Sequence, residues 1–217
     1  MIAAGSSMGS TIGRAVPGVY ADPAVHAFVD LSNIWYGLLD AAVGHGESGL
    51  PVRLYAANIA GLLRAGRADF RELAVANADV PDSVISWFER DAEVLRRESG
   101  RLTGTEQAND ETLQVRMYET MHNHPAGVLV LATGDGAGWR QGRGFLTVLE
   151  AARRHKWAVE VIAWSSRTNA ALIDWTRKVG AVFVNLNGYY RSVTFVEQGR
   201  LAQPLSLCHR ATADTER

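Results

Sequence analysis

Short apolar runs alternate with helical patterns along most of this chain. The most apolar runs are VHAFVDL (25–31), GVLVLAT (127–133), WAVEVIAW (157–164) and GAVFVNL (180–186). Runs of this length, bounded by turn residues, are typical of buried strands, and the segments between them carry apolar residues at helical spacing. The alternation predicts an α/β fold in which helices cover a mostly parallel sheet of four to six strands.

Capping residues and apolar stripes predict where the helices begin. One helix should directly follow the first strand, with Ser32 and Asn33 as good N-caps. A second is expected to start near Val52, and a third to run from Asp82 through an apolar stripe that extends to Leu95. Further helices are expected at about 106–123, 145–154 and 168–178, with a weak strand at 72–76.

The pattern divides the chain into one domain with two extensions. Residues 1–23 are rich in Gly and Ser and have no apolar period, which predicts a flexible N-terminal arm. Residues 24–190 carry the whole α/β pattern. Residues 191–217 form a C-terminal extension that loses periodicity from about Gln203, which predicts a partly disordered tail.

Composition and charge exclude several classes of protein. The chain has 217 residues, with 22 Lys and Arg against 23 Asp and Glu, so any contact with nucleic acid must use a local basic patch. Its single cysteine, Cys208, excludes a disulfide framework and a CxxC zinc module. The sequence has neither a long apolar run nor a signal-peptide pattern, which predicts a cytoplasmic protein with no membrane partner.

Three acidic residues converge on one edge of the predicted sheet. Asp30 ends the first strand and Asp135 follows the strongest strand, so both lie at carboxyl ends of parallel strands, where sites of such sheets form. A helix that returns across the sheet begins at the same edge. Asp110 lies near the start of the helix at 106–123, on the face of Leu113 and Met117, and should point toward the site.

Acids brought this close together need a counter-charge. Neighbouring carboxylates disfavour one another's ionisation unless a cation neutralises them. Oxygen ligands with retained waters suit Mg²⁺ or Mn²⁺, ions that commonly meet substrate phosphates. The sequence therefore predicts Asp30, Asp110 and Asp135 as metal ligands, and metal-assisted attack of water on a phosphodiester as the reaction.

Four segments resemble the NYN domain of the PIN-like ribonuclease superfamily. They are FVDLSNIW, ANDETLQVRMYETM, VLVLATGDG and GFLTVLEAARRHKWAVEVIAWS, and the similarity spans roughly residues 24–188. The most specific pieces are the D-x-x-N of Asp30 and Asn33 and the T-G-D of 133–135. The resemblance implies a PIN-like, Rossmann-like three-layer α/β/α fold, a Mg²⁺ or Mn²⁺ site, and cleavage or binding of RNA.

The resemblance also implies roles for individual residues. By position, Asp30, Asp110 and Asp135 match the metal-binding acids of the family, and all three are expected to be catalytic. Asn33 matches the asparagine that orients a ligand or the scissile phosphate. Thr133 is expected to position the phosphate or the carboxylates.

One departure from the family pattern leaves two functions open. Many members carry a second acid two residues after the T-G-D aspartate, whereas residues 136–139 here read GAGW. The main expectation is a metal-dependent endoribonuclease. The alternative is a catalytically weak or inactive module that binds RNA or regulates through a partner. A phosphatase of the haloacid dehalogenase type is disfavoured, because Ser32 interrupts its D-x-D pattern.

The loop after Asp135, GDGAGWRQGRG, is the predicted contact surface for substrate. Trp139 is a candidate for stacking on a base, and Arg140 and Arg143 for contacts with backbone phosphates. The alternatives are a solvated loop or a phosphate-binding glycine loop, although the sequence matches neither GxxxxGK[ST] nor GxGxxG. The expected partner is single-stranded or structured RNA, and the sequence leaves open a homodimer or a protein partner.

Overall fold

A computed structural model describes residues 23–77, 80–90, 92–97, 105–136 and 144–213. The predicted arm at 1–23 therefore lies outside the described residues except for Pro23. The strands are β1 (Val25–Asp30), β2 (Val52–Leu54), β3 (Phe70–Asn77), β4 (Glu93–Arg97), β5 (Val128–Ala132), β6 (Ala158–Ala163), β7 (Val182–Asn185) and β8 (Thr194–Val196). The helices are α1 (Leu31–Gly44), α2 (Ala56–Arg64), α3 (Asp82–Phe88), α4 (Thr105–Asn123), α5 (Phe145–Arg154), α6 (Ala170–Val179) and α7 (Tyr190–Val193), with 3₁₀ turns at Ser165–Arg167 and Leu186–Tyr189.

Within these residues the main sheet has six strands in the order β4-β3-β1-β5-β6-β7. Each pair of neighbouring strands in it is parallel, which confirms the predicted α/β fold with four to six strands. Along the chain, β3 and then β4 are added on one side of β1. The chain then returns to β5 on the other side of β1, and β6 and β7 follow beyond it. The boundary between β1 and β5 is therefore a topological switch point, where ligands of such sheets bind.

Helices cover both faces of the sheet, which gives the predicted three-layer arrangement. In β1, Ala27 and Val29 pack into one core and Phe28 into the other, as the strand period of two requires. The first core includes buried residues of α1, α2 and α3, and the second those of α4, α5 and α6. With both faces covered, fully buried strands read as continuous apolar runs, which is why the sequence predicted β1, β5 and β6 clearly.

The start of α1 differs from the expectation. Asp30, not Ser32 or Asn33, is the N-cap of α1, because its Oδ1 accepts the backbone N–H of Asn33 at 3.0 Å. The helix predicted from near Val52 is also wrong in its first turn. Val52 lies in β2 and pairs antiparallel with Val196, a partner that is distant in sequence, and α2 begins only at Ala56.

The helix predicted from Asp82 to Leu95 is wrong over its second half. α3 ends at Phe88, and Val94 belongs to β4, where it pairs with Ala74 of β3. Trp87, expected on the apolar stripe, is 45% exposed. Short apolar runs fit both a helical and a strand period, so tertiary pairing decided between them.

The C-terminal segment makes contacts with the domain as far as Ala213, although the loss of periodicity from about Gln203 predicted a partly disordered tail. The side chains of Arg210 and Glu160 are fully buried and form an ion pair at 2.5 Å, and Arg67 pairs with the same carboxylate at 2.8 Å. The backbone N–H of Ala213 also donates to Glu160. Burial alone would raise the pKa of Glu160, but the hydrogen bond from Arg67 and the charge of Arg210 outweigh it and lower that pKa.

Across the ranges given above, no helix combines the length and the apolarity needed to cross a membrane.

Candidate active site: an acidic cleft at the carboxyl edge of the sheet

A cleft of about 570 Å³ opens at the switch point between β1 and β5. Asp30, Asp110 and Asp135 all line it, as their positions at the carboxyl edge of the sheet predict. They come from the end of β1, the first half of α4 and the turn after β5. The other lining residues are Ser32, Asn33, Tyr36, Gly134, Ser166, Arg167, Thr168 and Asn169.

Asp30 is held rigidly at the floor of the cleft. The residue is 6% exposed, and both of its carboxylate oxygens accept hydrogen bonds from the protein. Oδ1 accepts the backbone N–H of Asn33 at 3.0 Å, and Oδ2 accepts the hydroxyl of Thr133 at 3.1 Å. These bonds fix the orientation of the carboxylate, which lines the cleft with oxygen atoms of the kind that bind hard divalent cations.

Thr133 joins two of the acids. Its hydroxyl donates to Asp30 and accepts the backbone N–H of Asp135 at 3.2 Å. The register of the sheet makes this contact possible, because Val29 lies opposite Ala132 and the next residues of both strands are therefore neighbours. Thr133 has no exposed surface, and its hydroxyl holds the carboxylate of Asp30 and the backbone of Asp135 in place, while a role in positioning a phosphate stays a prediction.

Asn33 joins helix α1 to the T-G-D turn. Its side-chain oxygen accepts the backbone N–H of Gly134 at 3.0 Å. The D-x-x-N and T-G-D motifs are thus connected twice, through Asp30 with Thr133 and through Asn33 with Gly134. The oxygen of Asn33 serves the protein itself, while orientation of a phosphate by this residue stays a prediction.

The segment after β6 also forms a wall of the cleft, beside the segments that carry the three acids. It was not identified from the sequence. Residues 165–169 read SSRTN, and four of them line the cleft. The backbone N–H of Asn169 donates to the carbonyl of Gly134 at 2.8 Å. A Cβ on Gly134 would lie 2.1 Å from the carbonyl oxygen of Arg167, so the close approach of the two loops requires glycine. A polar run directly after a strand was the available signal, since the carboxyl end of β6 lies at the same edge.

The buried Trp164 places this wall, residues 165–169, beside α1. The indole N–H of Trp164 donates to the carbonyl of Ile34 at 2.9 Å. A Cβ on Gly37 would lie 2.2 Å from Trp164 Cδ1, so α1 reaches this contact only with glycine at that position. The segment that follows Trp164 is therefore delivered to the mouth of the cleft.

The donor atoms of the cleft are of the type that a hard divalent cation prefers. They are carboxylate, hydroxyl and amide oxygens, with neither thiol nor imidazole among the lining residues that the structure describes. In the described part of the chain, no three or more His, Cys, Asp or Glu side chains form a compact metal-holding group. Mg²⁺ commonly uses only one or two carboxylates and keeps several waters, so this donor set fits such an ion.

The predicted contact residues Trp139, Arg140 and Arg143 lie outside the described residues, and their roles stay predictions. No protein-family model matches the chain, and no curated protein matches it significantly. The resemblance to the NYN domain therefore rests on the quoted motifs. Fold and cleft together define an α/β protein with a polar, acid-lined cleft at the switch point of a parallel sheet.

Proposed function

We propose that the protein is an endoribonuclease of the NYN type that hydrolyses RNA phosphodiester bonds with Mg²⁺ or Mn²⁺. The observation that carries this proposal is the convergence of Asp30, Asp110 and Asp135, from three separate elements, on one open cleft. The volume of the cleft, about 570 Å³, lies within the range of small-ligand sites and suits a nucleotide.

The residues of the cleft divide into fixed and accessible groups in this proposal. Asp30 is fixed by hydrogen bonds to both of its carboxylate oxygens and places this carboxylate at the floor of the cleft. Asp135 is half-buried, and its backbone is held by Thr133. Asp110 and Asp135 are less buried than Asp30, so these two ligands can also orient the attacking water, and one of them accepts its proton. Asp30, Asp110 and Asp135 would hold the divalent cation, which would supply the positive charge that offsets the acids and the charge that develops on the phosphate.

A second candidate is an RNA-binding module with weak or no catalysis. The sequence favours it at one point, because Ala137 stands where many NYN domains carry the second acid after the T-G-D aspartate. With fewer carboxylates, a cation is held by more water and less firmly, and turnover falls while the cleft keeps its shape.

Cleavage of end-labelled single-stranded and hairpin RNA by the purified protein tests the proposal, with Mg²⁺, with Mn²⁺ and with chelator. Asp135→Asn is the test variant. Asp174→Asn is the matched control, because the Asp174 side chain is 75% exposed on α6 and does not line the cleft. We expect metal-dependent cleavage by the wild type and the control, and none by Asp135→Asn.

The other outcomes decide between the candidates. RNA binding without cleavage under every metal condition overturns the nuclease and supports the binding module. The absence of both binding and cleavage overturns both. Cleavage that persists at full rate in Asp135→Asn means that the acidic cleft is not the active site.

A further inference from the structure

An aromatic residue and a guanidinium lie side by side at the wall of the cleft. Asn33, Tyr36 and Asp40 follow one another at helical spacing on α1, so they share the side of the helix that faces the cleft. Tyr36 is half-buried: it packs against the core beneath α1 and also lines the cleft. Its position is therefore fixed from inside while part of it meets the solvent of the site.

Asp40 positions Arg167 next to this ring. Nε of Arg167 donates to Oδ2 of Asp40 at 2.6 Å, and the guanidinium carbon lies 5.9 Å from the centre of the Tyr36 ring. This distance lies within the about 6 Å of a cation–π contact, so the guanidinium lies over the ring at the outer end of that range. The Arg167 side chain is 44% exposed, which keeps it within reach of a ligand in the cleft.

We infer that Tyr36 and Arg167 form a subsite for one unpaired nucleotide beside the acids, with the base stacked on Tyr36 and a backbone phosphate bound by Arg167. The inference rests on the proposed function and adds the place at which one unpaired nucleotide of the RNA is bound. Aromatic side chains stack on bases of any sequence, but a base within a duplex is already stacked on its neighbours. Arginine binds phosphate through paired, charge-assisted hydrogen bonds.

The ion pair with Asp40 has a positioning role in this subsite. Both side chains are well exposed, at 44% and 40%, and such surface pairs contribute little to stability. Substitutions at Arg167 should therefore leave the fold unchanged. A change in RNA affinity caused by an Arg167 substitution can therefore be distinguished from a change in stability.

Binding is measured by fluorescence anisotropy in Mg²⁺, with a labelled single-stranded oligoribonucleotide and a hairpin as probes. All variants are made in the Asp135→Asn background, so that RNA is bound without being consumed. Tyr36→Leu should weaken binding of the single strand by about ten-fold, the loss expected for one stacked base, and should affect the hairpin stem much less. Tyr36→Phe keeps the ring and should keep the affinity.

Arg167 is tested through the salt dependence of binding. Arg167→Gln should reduce the slope of log affinity against log salt by roughly 0.7, the value of one phosphate contact on a single strand, and Arg167→Lys should restore it. Arg177→Gln is the control, since Arg177 forms a comparable exposed pair with Asp174 away from the cleft. Tyr118→Leu, at a 44% exposed tyrosine on α4, is the control for the ring.

The outcomes separate this inference from the proposed function. Unchanged affinity in both Tyr36→Leu and Arg167→Gln overturns the subsite, while metal-dependent cleavage by the wild type still supports the nuclease. Weakened binding in these variants without any wild-type cleavage supports the subsite and overturns the nuclease. Because Tyr36→Leu also touches the core, its melting temperature is measured, and the Arg167 series stands independently of it.

Steady-state cleavage in the wild-type background gives a second readout. Tyr36→Leu should raise KM for the single strand by about ten-fold with kcat nearly unchanged, because a stacked base is held equally in the ground state and the transition state. A fall in kcat with unchanged KM would show that Tyr36 supports the acids and does not bind a base, and would overturn the subsite.

Discussion

The side-chain oxygen of Asn33 accepts a hydrogen bond from the backbone N–H of Gly134, a residue 101 positions later in the chain. This bond ties the first turn of α1 to the turn that carries Asp135. A second hydrogen bond, from the hydroxyl of Thr133 to Asp30, links the same two segments deeper in the cleft. The two short motifs that stand out in the sequence are therefore two halves of one hydrogen-bonded unit.

Removal of the Asn33 acceptor should loosen this unit. Asn33→Ala leaves a part-buried N–H of Gly134 without its partner, so we expect the free energy of unfolding to fall by about 1–2 kcal/mol. RNA cleavage should fall as well, because Asp135 loses its fixed position. Urea denaturation measures the difference, and equal stability of the alanine and wild-type proteins would contradict this account.

Gly134→Ala should displace the segment after β6, which lines the cleft. The added Cβ would meet the carbonyl oxygen of Arg167 at 2.1 Å, so the segment after β6 must move, at a cost of about 1–3 kcal/mol. Cleavage should decline, since that segment forms a wall of the cleft. Gly44→Ala is the control, because a Cβ there meets nothing within 4 Å. Thermal melting and the cleavage rate of both variants check the prediction.

His26 should make the protein less stable at mildly acidic pH. Burial, aided by the nearby charges of His124 and Arg71, lowers the pKa of His26 to about 4, against an ordinary value of 6.5. Between these values the unfolded chain binds a proton that the folded chain does not. Stability should therefore fall as pH drops from about 6.5 to about 4, by an amount on the order of 3 kcal/mol, and this contribution is absent above pH 7.

The variant His26→Gln isolates this effect. Carboxylates titrate in the same range in both proteins, so the quantity to compare is the difference in free energy of unfolding between the wild type and the variant at each pH. This difference should change between pH 6.5 and 4 and be flat above 7. A constant difference over the whole range would show that His26 is not kept neutral by its surroundings.

Substitution of Arg210 should lower the free energy of unfolding far more than substitution of an exposed arginine. Arg210→Ala removes a buried partner of Glu160 and leaves that carboxylate with less compensation, which should cost about 3–5 kcal/mol. Arg177→Ala breaks a pair that is 75% exposed on both sides and should cost less than about 1 kcal/mol. Chemical denaturation compares the two. Similar small losses would mean that the C-terminal segment is not anchored through this ion pair.

The boundaries of several elements were predictable from the sequence because local signals agreed there. α5 was expected at 145–154 and lies at Phe145–Arg154, where a strong apolar stripe and a basic last turn coincide. β5 was expected within 127–133 and lies at Val128–Ala132. Val52 and Val94 were misassigned, because short apolar runs fit two periods and their strand partners are remote in sequence.

The sequence by itself determined the fold class and the edge of the sheet that carries the acids. Continuous apolar runs mark strands buried on both faces, and the carboxyl ends of parallel strands must meet at one edge. Only the tertiary structure decided which residues line the cleft together and which hydrogen bonds each of them makes. The close approach of Gly134 to Arg167 and the anchoring of Arg210 on Glu160 join segments whose separation in the chain gives no local pattern. Contacts of this kind depend on packing in three dimensions, so periodicity and capping rules do not reveal them.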